Sequence, residues 1–163
     1  MKLSEEFKKK STRVMLVFAG SIIIGLGIDR VFELPHMFRG NIHKIVGWIL
    51  LIIGFALPSI AGRNLTVKGR NRDLPRGITD RLVTNGIYSY VRHPAFDGFI
   101  LILMGLAPLI NSYGYAAMAL MNICLIIYFA LAIEEKENYE KFGETYLEYK
   151  KRVPPFIPKI KRS

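Results

Sequence analysis

Apolar residues fall into four blocks along the chain, 14–32, 45–62, 95–110 and 113–133, separated by charged or turn-forming stretches. Crossing a bilayer takes about 20 residues, because a helix rises about 1.5 Å per residue. The pattern predicts an all-α integral membrane fold of four transmembrane helices in a single domain, 1–163. Asp29 and Arg30 mark the far end of the first span. Trp48 places the start of the second near an interface, and Pro58 interrupts it. The third span is short and contains Asp97, which predicts a helix that is short, tilted or shielded by protein. Asn111-Ser112-Tyr113-Gly114 reads as a tight turn, so the third and fourth spans are expected to form a helical hairpin.

Helical spacing continues past the fourth block. Tyr139, Phe142, Tyr146 and Tyr149 recur at steps of three and four, predicting one amphipathic C-terminal helix over 134–149. Its aromatic face can lie on the membrane or close over a pocket. Pro154, Pro155 and Pro158 end it. The 63–94 connection is long and rich in Arg, Asn, Gly and Pro, as functional loops often are.

The chain is 51% hydrophobic and 22% charged, with mean hydropathy +0.26, and its charges are segregated. Of 23 Lys and Arg, 20 lie in the N-terminal arm, the 63–92 stretch and the tail, against three in 29–44. Cytoplasmic loops carry the excess of basic residues, so both termini are expected in the cytoplasm of a cell-membrane protein. The net charge of +10 points to anionic lipid headgroups beside apolar spans, not to nucleic acid. Cys124 is the only cysteine, so neither an internal disulfide nor a cysteine metal cluster is possible, and no metal is expected. Lys8-Lys9-Lys10 precedes an apolar run without a small-residue cleavage site, which reads as a retained span.

Ionisable groups near bilayer depth are disfavoured unless they face protein or a cavity, so they mark working sites. Arg92-His93-Pro94, followed by Gly98, opens the third span, and Glu134-Glu135 ends the fourth. A proline suits a first helical turn, and the free N–H groups there favour a carboxylate or phosphate. Adjacent helical carboxylates point about 100° apart, so one can face a pocket and the other water. The hairpin would return Glu134-Glu135 to the side of the membrane that holds Arg92-His93. That convergence is the physical argument for a site.

The run Leu82 to Pro94, with Asn85-Gly86, Tyr90 and Arg92-His93-Pro94, resembles the signature of the isoprenylcysteine carboxyl methyltransferase and phospholipid methyltransferase superfamily. So does Glu134-Glu135 with Phe142-Gly143-Glu144, Tyr146, Tyr149 and Val153-Pro154. The resemblance covers residues 82–158 and implies an integral-membrane enzyme that takes a methyl group from S-adenosylmethionine. It implies a cofactor-binding set of Tyr90, His93, Pro94, Gly98, Glu134, Glu135, Tyr146 and Tyr149. Arg92 and Asp97 are the candidate catalytic residues, Arg92 to orient the acceptor and Asp97, or a glutamate, to take a proton from an amine. The acceptor is expected to be a lipid or another lipophilic molecule arriving through the bilayer. Phe96 stands where the family usually has tyrosine, and no arginine lies between Tyr128 and Ile133. A sterol-reductase-like enzyme using a nicotinamide cofactor and a non-catalytic membrane interaction protein are the alternative readings.

Overall fold

Six α-helices in chain order make up most of the computed structural model, which describes residues 2–69 and 79–158, with side chains from Leu16 onward. They are α1 (Lys2–Val31), α2 (Ile42–Lys68), α3 (Pro94–Ile110), α4 (Tyr113–Tyr128), α5 (Glu135–Phe142) and α6 (Glu144–Arg152). A short 3₁₀ turn covers Gly86–Ser89, and a π-helical turn, Phe129–Glu134, joins α4 to α5 without a break. No strand occurs among the described residues. The centre of the expected 63–94 loop, 70–78, lies outside the described residues.

Two helical stretches are long and apolar enough to cross a membrane, Ile42–Lys68 and Tyr113–Phe142, while Pro94–Ile110 is a shorter apolar helix. α2 exposes Ile45, Trp48, Ile49, Ile52 and Phe55, a surface suited to lipid and unsuited to water. The sequence reading placed an interruption at Pro58, yet α2 runs through it to Lys68. A proline removes one backbone hydrogen bond, and a membrane helix tolerates this when neighbours fill the gap. The expected single C-terminal helix is two helices. Gly143, at φ +56 and ψ −137, divides α5 from α6 in a conformation open only to glycine.

The chain forms two compact units. The first comprises Met1–Leu51 and Leu103–Cys124. Its helices approach closely at small residues: Gly25 packs on the backbone of Gly114 and Tyr115, and Gly47 on Gly105 and Leu109. Asn122, buried in α4, donates to Ser21 Oγ of α1 at 2.7 Å. Asn111 adopts a left-handed conformation (φ 58) between α3 and α4. Its side-chain amide pairs with the backbone N–H and carbonyl of Phe38. Ser112 Oγ then accepts the Tyr115 N–H and caps α4.

The second unit comprises Ile52–Ile102 and Leu125–Ser163. Gly98 of α3 lies against Gly54 and Pro58 of α2 so closely that a Cβ would come within 2.3 Å of Pro58 Cδ. Ala61, Val83 and Tyr88 form one buried cluster, backed by Leu65, Ile87 and Ala95. Tyr146, Tyr149 and Val153 form another, backed by Leu82 and Phe142. The two clusters hold the ends of α2, α3, α5 and α6 around the charged residues described next.

Candidate active site

Arg92 and His93 directly precede α3, and their backbone N–H groups donate to the carbonyls of Pro154 and Pro155 at 2.9 and 3.0 Å. The proline-rich segment after α6 is thereby tied to the chain just before α3. Proline favours this role, since it keeps its carbonyl and stays extended. The strap also brings Phe156 to His93, with ring centroids 5.7 Å apart. Phe96 lies 5.9 Å from the His93 ring on α3, and Phe129 meets Phe96 edge-on at 6.2 Å.

The π-helical turn decides which carboxylate enters. A π turn inserts a residue into the helical repeat and so rotates everything after it. Glu135 emerges buried, its side chain 5% exposed, whereas Glu134 remains 39% exposed. Glu135 Oε1 lies 2.7 Å from Arg92 Nη1, and Glu135 Oε2 lies 2.5 Å from Lys150 Nζ. His93 Nε2 is 3.5 Å from Glu135 Oε1, and its Nδ1 is 3.6 Å from Glu134 Oε2. A carboxylate buried to this degree is stable only with such compensation.

Compensation of Glu135 is good, but the donors around it are not saturated. Arg92 Nη1 is close to Glu135 yet off the hydrogen-bond direction, and Arg92 Nε has no partner. The buried Tyr146 hydroxyl faces the Arg92 side chain, and His93 Nδ1 has the 3.6 Å approach of Glu134 Oε2. An unpaired buried donor such as Arg92 Nε costs about 1–3 kcal/mol, which a polar ligand there would recover. Burial raises the Tyr146 pKa, Glu135 raises it further, and Arg92 opposes both. Burial likewise raises Tyr88 and Tyr149, keeping all three phenols neutral and able to donate.

Of the expected site residues, Arg92, His93, Glu134, Glu135 and Tyr146 meet in one place, and Tyr149 buttresses them. Tyr149 contacts Tyr146 by its ring (6.2 Å) and bonds the Tyr88 carbonyl through its hydroxyl. Pro94 is buried at the start of α3. Asp97 is half-buried one turn further along, its N–H bonded to the His93 carbonyl. Gly98 serves the packing of α3 on α2. Tyr90 is 63% exposed, directed outward by the 3₁₀ turn that sends Tyr88 inward. Lys150 was missed. The available signal was its position four residues after Tyr146, on the same helical face.

Comparisons with known proteins bear on the family and the fold. The family model described as phospholipid methyltransferase matches residues 42–145. The chain is 31% identical over 151 residues to a protein-S-isoprenylcysteine O-methyltransferase of Rattus norvegicus, covering 80% of this chain and 48% of that one. It is 38% identical over 81 residues to the protein of that name from Schizosaccharomyces pombe, covering 48% and 34%. A methanethiol S-methyltransferase 2 of Bradyrhizobium diazoefficiens is 36% identical over 74 residues, covering 45% and 27%. The chain thus spans about half, or less, of the curated relatives it matches. In fold it is similar to a eukaryotic intramembrane Ras methyltransferase (isoprenylcysteine carboxyl methyltransferase), with TM-score 0.64 and 24% identity. That match covers 91% of this chain and 53% of the other.

Proposed function

This chain belongs to the phospholipid methyltransferase family of integral-membrane methyltransferases, and from that premise we propose that it methylates a lipophilic or amphiphilic acceptor, using S-adenosylmethionine. The observation that carries the reading is the buried Glu135 carboxylate, met by Arg92, His93 and Lys150, with an unpartnered Arg92 Nε beside it. These groups fit the methyl donor. A carboxylate suits its ammonium or ribose hydroxyls, a guanidinium Nε and a phenol suit its carboxylate, and aromatic faces suit adenine and a sulfonium. When bound, S-adenosylmethionine supplies an activated methyl group on a positively charged sulfur.

The protein's own part is alignment and water exclusion. Glu135 and His93 hold the polar ligand, and Glu134, on the half-exposed side, neutralises charge at the mouth. Arg92 orients an anionic group through its free Nε, while the Glu135 partnership fixes the guanidinium plane. Phe96, Phe129 and Phe156 keep the surroundings of His93 apolar. Asp97, half-buried one turn into α3, accepts a proton where the acceptor is an amine. A carboxylate or thiolate acceptor needs no base.

The membrane arrangement in this reading is four spans. α1 and α3 cross together with the two longer helices, α3 and α4 form a hairpin, and both termini face the cytoplasm. The distribution of basic residues supports this orientation. The polar ligand then enters from the cytoplasm and the acceptor from the bilayer. Isothermal calorimetry on detergent-purified protein tests the function. Binding of S-adenosylmethionine and S-adenosylhomocysteine, uncompeted by NADPH, is expected. NADPH binding with no response to either adenosyl compound would replace this reading with a reductase.

A further inference from the structure

Lys150 occupies an unusual position for a lysine. Its Nζ sits 2.5 Å from Glu135 Oε2, while the rest of its side chain leaves it 46% exposed. The other cation on this carboxylate, Arg92, is only 6% exposed and takes the opposite oxygen. Thus one oxygen of Glu135 faces a fixed, buried guanidinium, and the other faces an ammonium that reaches in from solvent. Lysine carries a compact charge on a flexible four-carbon stem, so it can leave such a position without moving the backbone. The Arg92 side chain, 6% exposed, has no such way out to solvent.

We infer that the Lys150 ammonium is a resident stand-in for the ammonium of an α-amino-acid ligand, and that such a ligand binds by displacing Lys150 from Glu135 Oε2. The inference rests on the methyltransferase reading above and goes beyond it by naming what the ligand must compete with. Exchange of one ammonium for another keeps Glu135 compensated throughout, which a buried carboxylate requires. Without a ligand, Lys150 prevents the cost of an under-compensated carboxylate. With a ligand, it swings out into solvent, where nearly half of its side chain already lies. Lys150 therefore lowers ligand affinity, the reverse of the effect expected of a residue that only positions Glu135.

Two ligands separate these roles: S-adenosylhomocysteine, which carries the ammonium, and 5′-methylthioadenosine, which lacks the amino-acid end. In Lys150→Met, calorimetry should show S-adenosylhomocysteine binding tighter by up to roughly fivefold, the range of an exposed ion pair. Methylthioadenosine should bind as it does to the parent. The parent protein gives an independent measurement. Modification of Lys150 by an amine-reactive ester, followed by mass spectrometry, should accelerate on adding S-adenosylhomocysteine and not on adding methylthioadenosine. Weaker or unchanged S-adenosylhomocysteine binding in Lys150→Met, or ligand protection of Lys150 in the parent, would overturn the displacement. If the parent bound neither compound, the methyltransferase reading itself would fall and the inference with it.

Discussion

The Tyr149 hydroxyl donates to the backbone carbonyl of Tyr88 at 2.6 Å, tying α6 to the 3₁₀ turn that leads into Arg92 and His93. Both tyrosines are buried, and 61 residues separate them. The bond therefore closes a long loop of chain at the edge of the charged cluster. It gives Tyr149 a structural tie to the segment that carries Arg92 and His93.

Tyr149→Phe should destabilise the protein without emptying the core. The ring stays, but the Tyr88 carbonyl loses its donor in a buried place, which costs about 1–3 kcal/mol. Thermal unfolding in detergent should shift down, and binding of S-adenosylhomocysteine should weaken in parallel at temperatures near the transition. A variant as stable as the parent would show that water reaches Tyr88 and that the tie is dispensable.

Removing Glu135 should be costly to folding as well as to binding. Glu135→Ala leaves Arg92 buried without its partner, and breaking a buried pair from one side costs about 3–5 kcal/mol. Nothing in the sequence Glu134-Glu135 says which carboxylate is buried or that Arg92 is its partner. Arg92→Ala/Glu135→Ala together should cost less than the sum of the single changes. Denaturant unfolding of all four proteins measures the coupling, and strict additivity would refute it.

The helical blocks were legible in the sequence because long apolar runs with charged flanks have few other readings. α3 matches its expected span almost residue for residue, and the turn at Asn111 ends it as the polar residues there suggested. The end of α2 was not legible, since local propensity at Pro58 gives way to packing against Gly98. Nor was the division of the tail, where a regular aromatic spacing concealed Gly143. In the site, Arg92, His93 and Glu135 could be named because charge at an apolar boundary is conspicuous. Lys150 could not, because a lysine in a basic tail looks like ordinary solvated charge. Tyr88 is buried and Tyr90 exposed, a difference between two nearby tyrosines that only the fold shows.

Gly98→Ala should fail where a neighbouring glycine change succeeds. The added methyl would fall 2.3 Å from Pro58 Cδ and 2.6 Å from the Gly54 carbonyl oxygen, neither of which is the free end of a flexible chain. Overpacking of this kind costs about 1–3 kcal/mol or more. Gly62, also in α2, has nothing within 4 Å of its would-be Cβ. Gly62→Ala should therefore be neutral or stabilise by up to about 1 kcal/mol through helix propensity. Expression yield and the unfolding temperature of the two variants compare them directly. Equal tolerance would mean that α3 can move off α2 at little cost.

Under the proposed function, acceptor length should govern turnover. The charged cluster stands at the start of α3 and at the end of the π turn that follows α4, and both helices are apolar beyond it. An acceptor whose head reaches Arg92 and Asp97 would leave its tail among lipid or apolar side chains. Each buried CH₂ contributes about 0.8 kcal/mol, roughly fourfold in affinity, so homologues of increasing chain length should bind progressively better until the tail is fully buried. For an anionic head, Arg92→Lys should retain part of the activity that Arg92→Ala loses, because lysine keeps the charge but not the planar fork. Turnover efficiency on short, water-soluble acceptors should fall well below that on long-chain analogues with the same head group. Equal efficiency on both series would mean that the acceptor does not arrive through the membrane.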